Sequence, residues 1–475
     1  MANERIIALE KRVAELEALL VSALATIESL REENTQQKAK IADLERQLGM
    51  DSNNSSKPPS SDGFKKKPKS LRQSGGKNGG QPGHQGKTLK MSETPDVVIT
   101  HKVCTCGKCN ANLEGVMAES IVKRQVFDMP PIELVITEHQ AEIKRCACGE
   151  INKADFPSNV NNHVQYGESV TSLLGLWNVV HFIPYERCAE MFADLTGYKI
   201  SEGTVFSHLQ SLERKVFPIE MQIREALAAA PVLNADETGI PVMGKTKWLH
   251  SLSNPEWTLY HVHDKRGSEA MIDMGLLPNY EGILVHDFWK SYFKFPSTHA
   301  MCNAHLLREC QGILDNHGGT WAGDMKNFLS LTWHKVKQKR KQEEKLKEDE
   351  VEEIFEKYDK IVKDGQEALG EILKCQVRTA AKNLLIRFAD YKADILRFVV
   401  DDRVPFDNNQ AERDVRMVKV KSKVSGSFRT MEGAKQFASV RGFISTLRKQ
   451  GREVLQSLGE AVAGKFSFGK IEAAE

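Results

Sequence analysis

No stretch of this 475-residue chain approaches the roughly 18 to 20 consecutive apolar residues of a membrane span, and the N-terminus is a charged amphipathic segment without the pattern of a signal peptide. Both absences point to a cytoplasmic chain with no membrane partner. A strong net charge is missing too: 66 Lys and Arg stand against 64 Asp and Glu, so any electrostatic information lies in local patches. Nor does the chain hold an even set of cysteines. Nine is an odd total, five of them fall between positions 104 and 148, and without an export signal this favours metal binding over a disulfide framework. A hydrophobic content of 40% excludes disorder as the general state, and the length suits two to four domains.

What is present begins with a heptad stripe. Ile6, Leu9, Val13, Leu16, Leu20, Ala23, Ile27, Leu30, Asn34, Gln37, Ile41, Leu44 and Leu48 recur at alternating spacings of three and four, the a/d seam of a coiled coil. A lone helix gains little from such a stripe, so residues 1–50 are expected to join a homodimer or higher homo-oligomer, with Asn34 fixing the register. The alternative is a helix packed back on its own chain. Residues 51–95 shift to Ser, Asn, Pro, Gly and Lys, too poor in apolar surface to order, and the block containing Lys65, Lys66 and Lys67 suits a phosphate backbone.

Between 96 and 160, Cys106–Gly107–Lys108–Cys109 and Cys146–Ala147–Cys148–Gly149 form two glycine-bearing turns. Facing each other, Cys106, Cys109, Cys146 and Cys148 would enclose a structural Zn²⁺, with Cys104 competing with Cys106 for a place. Strand-like segments at Val122–Val126 and Leu134–Ile136 separate the turns. Residues 161–228 read as helical: a helix from Pro184 to Leu195, a turn at Gly197, then a helix opened by Ser201 and carrying Val205, Leu209 and Leu212. This fits a helix-turn-helix presenting Ser207 and His208 to DNA, and equally a helical hairpin packed on the core.

The run Val232 to Ile240 reads as an apolar stretch that ends on Asp236 and turns at Gly239, the placement a hard metal ion needs from a rigid strand end. Two more strands follow at Lys247 to Ser251 and Thr258 to His263, a helix at Ser268 to Leu277, and a second apolar run, Gly282 to His286, that ends on Asp287. Strands in order, a helix, and a strand returning beside the first describe an RNase H-like core over 229–332, in which Asp236 and Asp287 would share two Mg²⁺ or Mn²⁺ ions. Glu237 should point to the opposite face from Asp236 and act in support. A third acid, Glu412, falls about one turn into a helix capped by Asp407 or Asn408. Arg413, Arg416, Lys419, Lys421 and Lys423 follow it, a cationic row that makes sense beside carboxylates only if a polyanion lies over both. Cys302 and His305, with Arg308, read as a packing or DNA-positioning element. The charge-dense stretch 333–400 reads as a helical insertion, after which 401–475 completes the core.

Six motifs in order then resemble the IS66 family of transposases: the leucine-zipper start, Asn54–Ser55–Ser56–Lys57–Pro58–Pro59–Ser60–Ser61–Asp62 with Gly80–Gln81–Pro82–Gly83–His84, the cysteine module, Asp236–Glu237–Thr238, Asp287 with Tyr292 and then Cys302–Asn303–Ala304–His305 with Arg308, and Asn408–Asn409–Gln410–Ala411–Glu412–Arg413. The resemblance implies that Asp236, Asp287 and Glu412 are a DDE triad. It implies strand cleavage and strand transfer at the inverted repeats of an insertion sequence in double-stranded DNA, and companion proteins encoded by the same element. Two features depart from the family pattern: the tight Cys146–Cys148 spacing and the bulky Phe288–Trp289 after Asp287. The expectation is thus a multidomain α/β transposase, with an RNase H-like catalytic core and helical insertion preceded by coiled coil, zinc module and helix-turn-helix-like domain. The alternatives are a catalytically inactive DNA-binding regulator derived from such an element, and a metal nuclease that cuts without joining.

Overall fold

The computed structural model of the chain describes residues 2–49, 89–317, 319–370 and 379–469. Lys65, Lys66 and Lys67 lie outside the described residues. Helix α1 runs unbroken over Ala2–Gly49. Its stripe faces solvent, with Leu9, Val13, Leu16, Leu20, Ile27, Leu30 and Leu44 between 46% and 65% exposed. It joins none of the hydrophobic clusters among the described residues, so the folded-back arrangement is not the one seen.

The cysteine region is mostly irregular. A short hairpin, β1 (Ile143–Arg145) with β2 (Ile151–Lys153), carries Cys146 and Cys148 in its turn. The segments expected as strands at 122–126 and 134–136 are not strands. Val122, Val126 and Val135 are 86% to 92% exposed there, and an apolar run without a partner ladder has nothing to hold it extended.

The body of the chain is a mixed five-stranded sheet of order β5-β4-β3-β6-β7. β3 (Val232–Val242), β4 (Lys245–Ser253) and β5 (Thr258–His263) form an antiparallel meander. The first hairpin turns on Met243 and Gly244, both at positive φ, the conformation a two-residue loop needs to match strand twist. β6 (Ile283–His286) and β7 (Thr298–Met301) add in parallel beside β3. Alternation along the strands divides the core: Ile283 and Val285 belong to one cluster, Leu284 with Leu233 and Ala235 to another.

Helices clothe both faces. α2 (Glu168–Gly175), α3 (Tyr185–Thr196) and α4 (Glu202–Ala228) precede the sheet. Gly197 ends α3 in the left-handed conformation and Ser201 caps α4, accepting the N–H of Thr204 at 3.0 Å. α4 is no short reading head, however. It spans 27 residues, and Val205, Leu209 and Leu212 are buried in one cluster with Ile240, Leu249 and Phe443, so α3 and α4 are a hairpin packed on the core.

The short α5 (Ser268–Asp273) links the meander to β6. After β7 comes a helical layer: α6 (Asn303–His317), α7 (Thr320–Lys341), α8 (Glu348–Leu369), α9 (Ala380–Asp390) and two single turns, α10 (Lys392–Ile395) and α11 (Arg397–Val400). These helices share a cluster with Ile283, Val285, Ala300 and Met301, so the layer is continuous with the sheet, and the boundary expected at 333 falls inside α7. α12 (Asn409–Ser425), α13 (Met431–Lys449) and α14 (Val454–Val462) return to the sheet, Val415 and Val418 packing with Ile240 and Val242 of β3.

Candidate carboxylate site at the centre of the sheet

The parallel register of β3 and β6 pairs Val232 with Ile283, Leu233 with Leu284 and Asn234 with Val285. The ladder ends at Asn234–Val285, and two residues on, Asp236 within β3 and Asp287 just past the end of β6 lie close enough for the charge of Asp287 to act on Asp236. The electrostatics agree: Asp236 is pushed well above the usual carboxylate range by burial and then by the charges of Glu237, Asp287 and Glu412. Asp287 is pushed up to about 6, by burial first and Glu237 second, while the N–H of Trp289, donated to Asp287 Oδ1 at 2.9 Å, lowers it.

Glu237 is held away from Asp236 by partners on the other face. Its side chain is 2% exposed; Arg266 donates to Oε1 through Nε at 2.8 Å, and the hydroxyl of the buried Tyr292 donates to Oε2 at 2.6 Å. The Arg266 guanidinium lies 3.8 Å from the centre of the Trp289 ring. The bulky residues after Asp287 thus have a use: Trp289 anchors the cation that holds Glu237, and Tyr292 closes the cluster.

Glu412 reaches the site through a clamp that sequence reading missed. Asn408 is buried at the N-terminus of α12 but does not cap it with its side chain. Its carboxamide donates to the carbonyl of Ala235 at 2.7 Å and accepts from Asn234 at 2.9 Å, while its backbone N–H is donated to Cys302 Sγ at 3.2 Å. It is Asp407 that accepts the N–H of Asn409, at 3.0 Å. The only available sequence signal was an Asn at position 234 inside an apolar strand, a polar group that must find a partner once buried.

Around Glu412 the structure gathers His305, with Nδ1 at 3.9 Å, and Arg308 at 3.8 Å. His305 is held neutral, its pKa lowered to about 4 by burial and then by Arg308 and Arg387. Cys302, His305 and Glu412 form a compact donor group, whereas Asp236 and Asp287 are not drawn into one among the described residues.

The basic row resolves by helical phase. Ala411, Asp414, Val415, Val418 and Lys421 make the buried face of α12. Arg413, Arg416 and Lys423 are exposed and Lys419 is half-buried, so Arg416, Lys419 and Lys423 continue the Glu412 side of the helix. Lys421 leaves the expected DNA-binding set: its ammonium donates to the carbonyl of Gly426 at 3.3 Å and lies 3.6 Å from the Phe428 ring centre. His208 is likewise turned inward, its Nδ1 2.7 Å from the Thr171 hydroxyl and its ring against Tyr166. Ser207 stays exposed but donates its hydroxyl to the carbonyl of Gly203.

The two cysteine turns are built locally. Cys106 accepts N–H groups of Lys108 and Cys109, and Cys146 those of Cys148 and Ala147; these contacts lower both thiols below the ordinary value. Asn110 at φ 57° and Gly149 at φ 95° close the turns. Cys106, Cys109, Cys146 and Cys148 do not come together as one group of donors among the described residues.

Residues 163–436 match the family described as Transposase IS66 family, which covers all three acids and the clamp. Residues 6–90 match a Family of unknown function (DUF6444). No curated protein matches the chain.

Proposed function

This chain belongs to the IS66 family of transposases, and on that premise we propose that it cuts DNA at the ends of an insertion sequence and joins those ends to a target, using Asp236, Asp287 and Glu412. What supports this reading is that the parallel pairing of β3 and β6 leads toward Asp236 and Asp287, whose charges and that of Glu412 act on one another, and that the Asn408 clamp fastens the helix of Glu412 to the strand of Asp236. The strand order, antiparallel meander first and parallel strands after, supports an RNase H-like core.

The donor set fits Mg²⁺ or Mn²⁺. Three carboxylates offer oxygen only, two have their charged forms disfavoured by burial and mutual repulsion, and Glu412 Oε1 is buried without a hydrogen-bond partner, so the cluster is short of positive charge. When bound, two such ions supply stabilisation of the attacking and leaving oxygens at phosphorus. The chain's own residues do the rest. Asp236 and Asp287 hold their side of the site from adjacent strands, and Asn408 fixes the distance to Glu412. Arg413, Arg416, Lys419 and Lys423, with Lys65, Lys66 and Lys67 of the N-terminal stretch, bind phosphates of the double-stranded DNA without reading its sequence. Water then attacks the phosphodiester at the element's end, breaking the P–O3′ bond and leaving a 5′-phosphate, and the freed 3′-hydroxyl attacks a target phosphodiester, whose own 3′-oxygen leaves as its P–O3′ bond breaks and takes up the proton.

The exposed stripe of α1 is the oligomerisation surface, giving a dimer or higher homo-oligomer that brings two ends together. The cysteine turns hold a structural Zn²⁺ once paired, their thiolate-favouring N–H groups being what such turns supply. The test is cleavage of a duplex carrying the element's end with Mg²⁺ or Mn²⁺. Asp236→Asn should abolish nicking while DNA binding persists, and nicking that survives in this variant would remove Asp236 from the reaction.

A further inference from the structure

Cys302 stands between β7 and α6, His305 in the first turn of α6, and Glu412 in the first turn of α12. The Cys302 sulfur, a ring nitrogen of His305 and a carboxylate oxygen of Glu412 all lie within 4.8 Å of one another. His305 Nδ1 and Glu412 Oε1, 3.9 Å apart, are both buried and without a hydrogen-bond partner. Two buried polar atoms this close, neither with a hydrogen-bond partner, are costly to leave unfilled. Cys302 Sγ accepts the N–H of Asn408, the kind of contact that orients a metal-bound thiolate, while burial pushes the free thiol up to about 12, so the entering ion has to displace its proton.

We propose that Cys302, His305 and Glu412 form a transition-metal site, suited by its sulfur, nitrogen and oxygen donors to Zn²⁺ and separate from the cysteine turns near the N-terminus. A borderline-soft ion takes this mixed set, whereas Mg²⁺ takes oxygen alone. Zn²⁺ sits about 2.0–2.3 Å from such donors, which places tetrahedral ligands roughly 3.5 Å apart, so separations of up to 4.8 Å have to close through side-chain torsions of Cys302, His305 and Glu412. Three protein ligands leave the fourth tetrahedral position open. Binding replaces the thiol proton of Cys302, which passes to solvent. Arg308, 3.8 Å from Glu412 and with a side chain 27% exposed, is the opposing charge and swings outward as the ion enters.

The site stands on these donors alone; only its consequence rests on the catalytic reading, because an ion here takes Glu412 from the carboxylate cluster, so Zn²⁺ would compete with the catalytic ions. The test uses the full-length protein, stripped by a chelator, re-equilibrated with Zn²⁺ and counted for metal per chain, with Co²⁺ as a spectroscopic substitute. Cys302→Ser and His305→Ala should each hold one equivalent fewer than the wild type, and Cys302→Ser should lose the thiolate-to-cobalt absorption that remains when Cys106→Ser and Cys146→Ser are combined. Equal metal content in the wild type and His305→Ala overturns the site. Should Cys302→Ser fail to fold by circular dichroism, His305→Ala decides. Asp236→Asn is expected to keep the equivalent in question, so loss of cleavage and loss of this metal report on different claims.

Discussion

Asn408 and Asn234 are separated by 174 positions, yet their buried carboxamides meet at 2.9 Å. The donor side of Asn408 is spent on the carbonyl of Ala235, one residue before Asp236. One side chain therefore sets the first turn of α12, and with it Glu412, against the strand that carries Asp236. Removing it in Asn408→Ala leaves the Asn234 amide and the Ala235 carbonyl buried and unpaired, at an expected cost of about 1–3 kcal/mol in stability. Cleavage should fall by more than the melting shift accounts for, since a small misplacement of a catalytic group costs on the order of 100-fold. Thermal melts and single-turnover nicking, measured side by side below the melting range, check this.

Glu237 is the second support. Glu237→Gln keeps an oxygen for the Tyr292 hydroxyl but withdraws the charge paired with Arg266, a pair whose carboxylate is buried. The variant should remain folded and lose roughly 1–3 kcal/mol by chemical denaturation. With one negative charge fewer beside Asp236 and Asp287, more Mg²⁺ should be needed for half-maximal nicking. An unchanged Mg²⁺ requirement would show that Glu237 has no electrostatic role at the site.

Lys421 and Arg416 make opposite predictions on one helix. Arg416→Ala should weaken binding evenly across DNA sequences and reduce the slope of log K against log salt by about 1, as loss of a phosphate contact does. Lys421→Met should leave DNA binding unchanged. It should also raise stability at pH 7. Burial lowers the Lys421 pKa to about 8, so between that value and its unfolded value near 10.4 the unfolded chain binds more protons than the folded one. Stability from this group therefore rises as pH climbs through that window, by about 3 kcal/mol at most. The wild type should show the alkaline gain in denaturation series from pH 7 to 10.5, and Lys421→Met should not.

The α1 stripe is tested by charge. Leu16 and Leu20 are 52% and 61% exposed, so Leu16→Glu with Leu20→Glu costs little within one chain but sets like charges against each other across a helix pair. Sedimentation should show the wild type as a dimer or larger and the double variant as a monomer with an unaltered melt of the sheet domain. Equal masses for the two would remove α1 as the association surface.

Much of the fold was legible because periodicity is a local property. The heptad stripe, the strand runs leading into Asp236 and Asp287, the cap at Ser201 and the turn at Gly197 all follow from neighbours within a few positions. The strand end expected at Asp236 does not: β3 continues to Val242 and turns at Met243–Gly244, because its pairing with β4 carries it past Gly239. The face of Glu237 followed from alternation alone. Lys421 could have been assigned by continuing the phase of Val415 and Val418, a signal that the count of basic residues obscured. The valines around 122 and 135 misled for the converse reason: strand propensity describes a fit to a neighbouring strand, and none is there.

By itself, then, the sequence determined most of the segments that become strands and helices and placed Asp287 just past the end of one, since side-chain spacing sets which face is apolar; that Asp236 sits within β3 rather than at its end was decided by the pairing of β3 with β4. Only the tertiary structure decided how Asp236, Asp287 and Glu412 are mutually placed, because that depends on a parallel register between segments about 50 residues apart and on the Asn408 clamp across 174 positions. The same holds for the meeting of Cys302 and His305 with Glu412. Spacing within a segment cannot encode a distance across the fold, where burial and the need to satisfy polar groups select the partners.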